Sequence, residues 1–116
     1  MSIISIEGME FFAYHGCFKE EQLIGTKFNV DLFLTVDTTK AQESDNLYDT
    51  VNYQEAFLLV KKEMEITSKL LEHVGNRILN SVKTTFPQVE SAKLKIRKMN
   101  PPLGGKMDFV SVTLNF

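Results

Sequence analysis

The sequence has one cysteine, two histidines, three prolines and no tryptophan. Cys17 alone closes no internal disulfide; it fits a reducing compartment and reads as a buried or idle thiol, not a nucleophile. So few nitrogen and sulfur ligands do not build a closed zinc site, and neither metal nor cofactor is expected. No stretch approaches the roughly 18 apolar residues of a membrane helix. The segment Met1-Ser2-Ile3-Ile4-Ser5-Ile6-Glu7 lacks the basic start and long apolar run of a secretory signal. A cytoplasmic protein with no membrane partner is expected. Basic blocks are missing too: 13 Lys and Arg are interspersed with 15 Asp and Glu for a net charge of −2. Nucleic acid is therefore not an expected partner. There is no Gly-x-Gly-x-x-Gly or P-loop pattern, Gly104-Gly105 reads as a turn, and no serine sits on a recognisable nucleophile elbow.

What is present is globular. With 116 residues, 43% hydrophobic and 24% charged, the chain suits one domain spanning 1–116. Ile4 and Ile6 begin a strand that continues irregularly to Tyr14, followed by a loop through Lys19-Glu20-Glu21-Gln22 to Gly25. Phe28, Val30, Leu32, Leu34 and Val36 alternate with mostly polar neighbours and define a second strand. Residues 41 to 50 read as loop. Asn52 with Glu55 resembles a capping box opening a helix with Ala56, Phe57, Val60 and Met64 on its apolar side. Ser68 is a candidate cap for a second helix carrying Leu71, Val74, Ile78 and Val82, which ends at Phe86-Pro87. Residues 92 to 99 and then Val110, Val112, Leu114 and Phe116 supply two more strands. The order strand-strand-helix-helix-strand-strand predicts an α+β fold: a four-stranded antiparallel sheet with two helices covering its apolar face. Such a sheet has two open edges with few prolines or bulges to blunt them, so association between copies is expected.

Lys98 is out of place in this pattern. Leu94 and Ile96 share one face of their strand, Lys93, Lys95 and Arg97 the other, and Lys98 falls on the apolar side. An ammonium there must be paired, bend into water or titrate at a shifted pKa. The ordinary outcome is the bend into water; the alternative is a proton carrier. Three other residues have similarly double readings. Glu72 near the start of the second helix gains from the helix dipole, or holds the N–H donors of a heterocycle. Glu21 is by default solvated surface. Tyr53 in the first turn of its helix is by default half-buried with a wet hydroxyl.

Taken together, several stretches resemble the dihydroneopterin aldolase family, enzymes that cleave a pterin side chain in folate synthesis. They are Tyr14-His15-Gly16, Glu21 before Ile24-Gly25, Phe28-Asn29-Val30-Asp31, Ser44-Asp45-Asn46, Asp49-Thr50-Val51-Asn52-Tyr53, Leu70-Leu71-Glu72-His73 and Lys98-Met99-Asn100-Pro101-Pro102. The resemblance spans essentially the whole chain and implies a tunnelling fold. In that fold, subunits join sheet edges into a tetrameric ring around a barrel, two rings commonly stack into an octamer, and Asn29, Asp31 and Thr35 line a wet tunnel. It implies a pterin substrate and no cofactor. Glu72 and the backbone of Leu71 would bind the pterin, Tyr53 from a neighbouring subunit would cover it, Glu21 would contact or orient its polar side, and Lys98 would be the acid/base with help from Tyr53. The turn Pro102-Leu103-Gly104-Gly105-Lys106-Met107 is a less typical form of the family's. Two other readings stay open: an epimerase acting on dihydroneopterin or its triphosphate, and a non-catalytic pterin-binding module.

Overall fold

In the computed structural model, which describes residues 1–116, the chain forms nine elements. They are β1 (Ser2–Ala13), α1 (Lys19–Ile24), β2 (Thr26–Val36), α2 (Thr39–Ser44), a 3-10 turn (Leu47–Asp49), α3 (Tyr53–Met64), α4 (Leu71–Thr85), β3 (Ser91–Met99) and β4 (Phe109–Asn115). The strands make one antiparallel sheet in the order β1-β2-β3-β4. The expected α+β architecture is present, with additions. The stretch read as loop at 19–25 contains the six-residue helix α1, and that at 41–50 contains the 3-10 turn and the last four residues of the six-residue α2, which begins at Thr39. None of these three buries a residue, and one and a half turns are too short for an apolar stripe to show as a period.

The core forms where the periodicity places it. Phe28, Val30, Leu32, Leu34 and Val36 of β2 and Ala92, Leu94 and Ile96 of β3 are buried under Ala56, Val60 and Met64 of α3 and Val74, Ile78, Leu79 and Val82 of α4. Asn52 caps α3, its Oδ1 accepting the Gln54 N–H at 3.0 Å. Phe57 stays partly exposed at the margin of the stripe, stacked on Phe11 with ring centroids 5.9 Å apart. Gly75 lets α4 pack closely on β4: a Cβ there would lie 2.6 Å from Leu114 Cδ1 and displace the end of that side chain. Ser68 does not cap α4. Leu70 holds that position, and buried Ser68 is engaged elsewhere, its hydroxyl meeting His73 Nδ1 and Arg77.

A second correction concerns edge strand β1, which carries a bulge between Ile6 and Met9 with Gly8 at φ 73°. The bulge has an anchor on the sheet face away from the helices. Asp31 Oδ1 accepts the Gly8 N–H at 2.7 Å, and Oδ2 accepts from Arg97 at 2.7 Å, while Arg97 also reaches Asn29 Oδ1 at 3.1 Å. The Arg97 hydrogen bond and the Gly8 N–H hold the Asp31 carboxyl below the usual carboxylate range against the opposing effect of burial. No helix is long and apolar enough to cross a membrane.

Removing the Asp31 carboxylate strands a partly buried guanidinium and the bulge N–H together. Asp31→Ala should therefore cost about 3 kcal/mol of stability, read from urea unfolding. A loss below about 1 kcal/mol would show that water replaces the carboxylate without penalty.

Candidate active site

Lys98 lies opposite Phe28 of β2 and Val110 of β4, one residue before β3 ends. Its side chain is only 11% exposed and forms an ion pair with the Glu21 carboxylate, itself 14% exposed. Lys98 Nζ also donates to the His15 carbonyl at 3.3 Å. The expected bend into water does not occur, because two acceptors meet the ammonium inside the fold. Glu21 is brought there by α1, the helix that the periodicity concealed. The left-handed Gly25 (φ 74°) ends α1 by donating its N–H to the Glu21 carbonyl at 3.1 Å. Gln22 Nε2 ties α1 back to the Gly16 carbonyl at 2.9 Å. Gly16 leaves the space that Glu21 fills: a Cβ there would sit 2.6 Å from the carboxyl carbon and 2.7 Å from Glu21 Cβ.

Burial alone would push the Glu21 carboxyl up. The hydrogen bonds from Lys98 and from the Phe18 N–H (3.3 Å) more than reverse this and leave it below the usual glutamate value. The pair borders a cavity of about 280 Å³ whose lining includes Ile24, Thr26, Asn100 and Pro102. A cation held by a carboxylate beside such a space can give a proton to a bound molecule and take one back.

The other expected residues are distributed unevenly. Leu71 and Glu72 are the first two residues of α4, Leu71 half-buried and Glu72 exposed. Neither lines the cavity, but the segment just before them is tied to the loop beside Lys98. Gly16 N–H donates to the Ser68 carbonyl at 3.0 Å, and Cys17 Sγ donates to the Lys69 carbonyl at 3.4 Å. Cys17 is thus exposed rather than buried. Tyr53, 67% exposed, starts α3 at the end opposite Met64. Eleven helical steps separate it from Met64 by about 16 Å. Because the Met64 end is the one beside His15, Tyr53 and Lys98 of one chain do not converge.

Two side chains that the sequence reading passed over join the site from behind. His15 is 1% exposed and packs edge-on against Phe28 with ring centroids 5.2 Å apart. Its Nδ1 accepts the Ser68 N–H at 3.0 Å, which makes it the neutral tautomer protonated on Nε2, and Nε2 has no partner at hydrogen-bonding geometry. Arg77 donates to Glu63, to the Ile66 carbonyl at 2.7 Å and to Ser68 Oγ at 3.0 Å, locking the α3–α4 connection. The sequence signal for His15 is its place in the Tyr14-His15-Gly16 stretch at the end of an apolar strand, which assigns it no partner.

Fold and site define an α+β protein that carries a lysine–glutamate ion pair beside a cavity at the rim of an antiparallel sheet. The family model for FolB, dihydroneopterin aldolase, matches residues 4–115. A dihydroneopterin aldolase of Streptococcus pyogenes serotype M1 is 41% identical over 115 residues, covering 98% of this chain and 97% of the relative. That of Bacillus subtilis strain 168 is 36% identical over 115 residues, covering 98% and 96%. The crystal structure of Escherichia coli dihydroneopterin aldolase in complex with neopterin superposes with a TM-score of 0.92 at 23% identity, covering 100% of this chain and 99% of that one. The chain belongs to the dihydroneopterin aldolase family, an aldolase class of lyase.

His15 titrates unusually. Burial, then the Arg77 charge and more weakly that of Lys98, lower its pKa from 6.5 to about 4, with the Met64 carbonyl opposing them. The unfolded chain therefore binds the extra proton between those values, and stability falls as pH drops through that window. The lowered Glu21 pKa acts further down, its contribution being lost only as pH falls below the ordinary glutamate value of 4.5. Unfolding free energy should decrease by about 2 kcal/mol between pH 6.5 and 4.5, and His15→Asn should flatten that slope. Equal slopes in the two proteins would contradict the assignment.

Proposed function

We propose that the chain cleaves 7,8-dihydroneopterin by a retro-aldol reaction with Lys98 as its acid/base. The observation that carries this reading is the Lys98–Glu21 pair, buried at the cavity on the face that otherwise forms the core. In this substrate the C6=N5 imine is conjugated to the bond that breaks. Removal of the proton from the C2′ hydroxyl forms the carbonyl of glycolaldehyde as the C1′–C2′ bond cleaves. The bond's electrons pass into the ring, and N5 takes up a proton. Protonation of the resulting enamine at C1′, with loss of the N5 proton, restores the imine and gives 6-hydroxymethyl-7,8-dihydropterin. The substrate is its own electron sink, so no Schiff base to Lys98 is required.

In this reading Glu21 orients Lys98 and faces the polar side of the substrate. Glu72, backed by the Leu71 backbone, accepts hydrogen bonds from the pterin amino group and ring N–H, a charge-assisted pair that fixes the ring. Its position two residues into α4, beside the loop that holds Lys98, supports this. Tyr53 comes from a neighbouring subunit, covers the ring and assists proton transfer through its hydroxyl. The separation of Tyr53 from Lys98 along α3 within one chain supports a shared site. The unpaired edges of β1 and β4, with exposed Ile3, Phe12 and Phe109, support edge-to-edge assembly into a tetrameric ring and a stacked octamer. Each subunit would then be one domain, residues 1–116.

Anaerobic incubation with 7,8-dihydroneopterin, followed by chromatography of the pterins and assay of glycolaldehyde, tests the reaction. Both products should form, and Lys98→Ala should lower turnover by about 10²–10⁴-fold at saturating substrate. Near-normal turnover by Lys98→Ala would refute the assignment, and conversion to the C2′ epimer alone would replace cleavage by epimerisation. Glu72→Gln should weaken pterin binding by at least about tenfold while changing kcat less. An unchanged dissociation constant would remove Glu72 from the binding site.

A further inference from the structure

His15 belongs to neither the catalytic pair nor the pterin contacts, yet it is the most buried polar residue in the chain. A smaller apolar residue packed on Phe28 would fill this place without burying a polar ring. What the imidazole supplies is an acceptor at one place. His15 Nδ1 takes the Ser68 N–H while the Gly16 N–H, one residue on, is given to the Ser68 carbonyl, each at 3.0 Å. These reciprocal bonds clamp residues 15–16 against Ser68. The clamp is rigid on its far side, because Ser68 Oγ is held by Arg77 and His73. On its near side it presents the His15 carbonyl to Lys98 Nζ. It also fixes Gly16, whose missing side chain makes room for Glu21. Both acceptors of the Lys98 ammonium are therefore located by one histidine.

We propose that His15 is a positioning residue for Lys98: its buried Nδ1, by accepting the Ser68 N–H, sets the carbonyl and the glycine that hold Lys98 and Glu21 in register. This role rests on Lys98 being the acid/base and adds a residue that never touches the substrate. Without the clamp the loop relaxes, the ammonium loses an acceptor of fixed direction, and proton transfer slows. Pterin binding through α4 is left in place, so the defect falls on kcat. A histidine kept only for packing would give a different pattern, with loss of stability and no selective effect on the chemical step.

Three variants separate the two. Asparagine places its amide oxygen where Nδ1 lies, glutamine extends past it, and alanine supplies nothing. With 7,8-dihydroneopterin as substrate, His15→Ala should lower kcat by about 10²-fold, as a displacement near 1 Å does. The dissociation constant for neopterin, used as a non-reacting probe, should stay within about twofold of wild type in the same variant. His15→Asn should recover most of kcat, and His15→Gln should resemble His15→Ala. Should His15→Ala fail to fold, judged by circular dichroism, the Asn–Gln comparison carries the test. Equal kcat in those two variants, a kcat for His15→Ala close to wild type, or a rise in the neopterin dissociation constant that matches the activity loss would each overturn the proposal. Lys98→Ala run alongside tells the failures apart. If it keeps turnover, the acid/base reading falls and this inference with it; if it loses turnover while His15→Ala does not, only the inference falls.

Discussion

An ammonium group on the core face of a sheet imposes a demand that the surrounding structure has to meet. Unpaired, Lys98 would cost several kcal/mol or lose its proton, because a low-dielectric interior disfavours the charged form. The fold supplies two acceptors from a single excursion of chain between β1 and β2: the His15 carbonyl and the Glu21 carboxylate. Much of what looks incidental in that excursion follows from them. Gly16 is bare because Glu21 needs its space, α1 exists to present Glu21, and Gly25 turns left-handed to end α1 in time for β2 to begin at Thr26. The pair stabilises the charge and still borders an open cavity.

The opposite face of the sheet solves a related problem with different consequences. Asp31 and Arg97 form a buried pair whose carboxylate also holds the Gly8 bulge, and nothing about it approaches the cavity that Lys98 borders. Its role is the shape of β1. A bulge increases local twist and bends an edge strand, so Asp31 helps decide how that edge meets whatever pairs with it. Two ion pairs on opposite faces of one small sheet thus separate their tasks, one holding an ammonium at the cavity and the other shaping the edge strand.

The legible part of this molecule was what repeats. Strands β2 and β3, the apolar stripes of α3 and α4 and the Asn52 cap are all local patterns of period two or near four, and they fixed the sheet, its helical cover and the wrong-face position of Lys98. Structure built from single turns was hidden. Helix α1 has six residues and no buried side chain, so Glu21 looked like loop surface until tertiary pairing gave it a partner. Ser68 had the right chemistry for a cap, but its N–H and hydroxyl serve His15, His73 and Arg77 instead. The contact of His15 was hidden for the same reason: its partner lies 53 residues away, and no local rule reports that distance. The roles proposed for Glu72 and Tyr53 come from resemblance; in the single chain both side chains are exposed.

The central claim is that an ammonium, held by Glu21 at this point of the sheet, carries the proton. Chemical rescue tests it most directly. Lys98→Ala opens room beside the Glu21 carboxylate, and methylamine, an ammonium without the tether and small enough to enter, should occupy it. The account predicts that turnover of 7,8-dihydroneopterin by Lys98→Ala rises with methylamine concentration until it saturates, and that adding Glu21→Ala abolishes the saturable rescue. No dependence on the amine, or a rescue indifferent to Glu21, would contradict it.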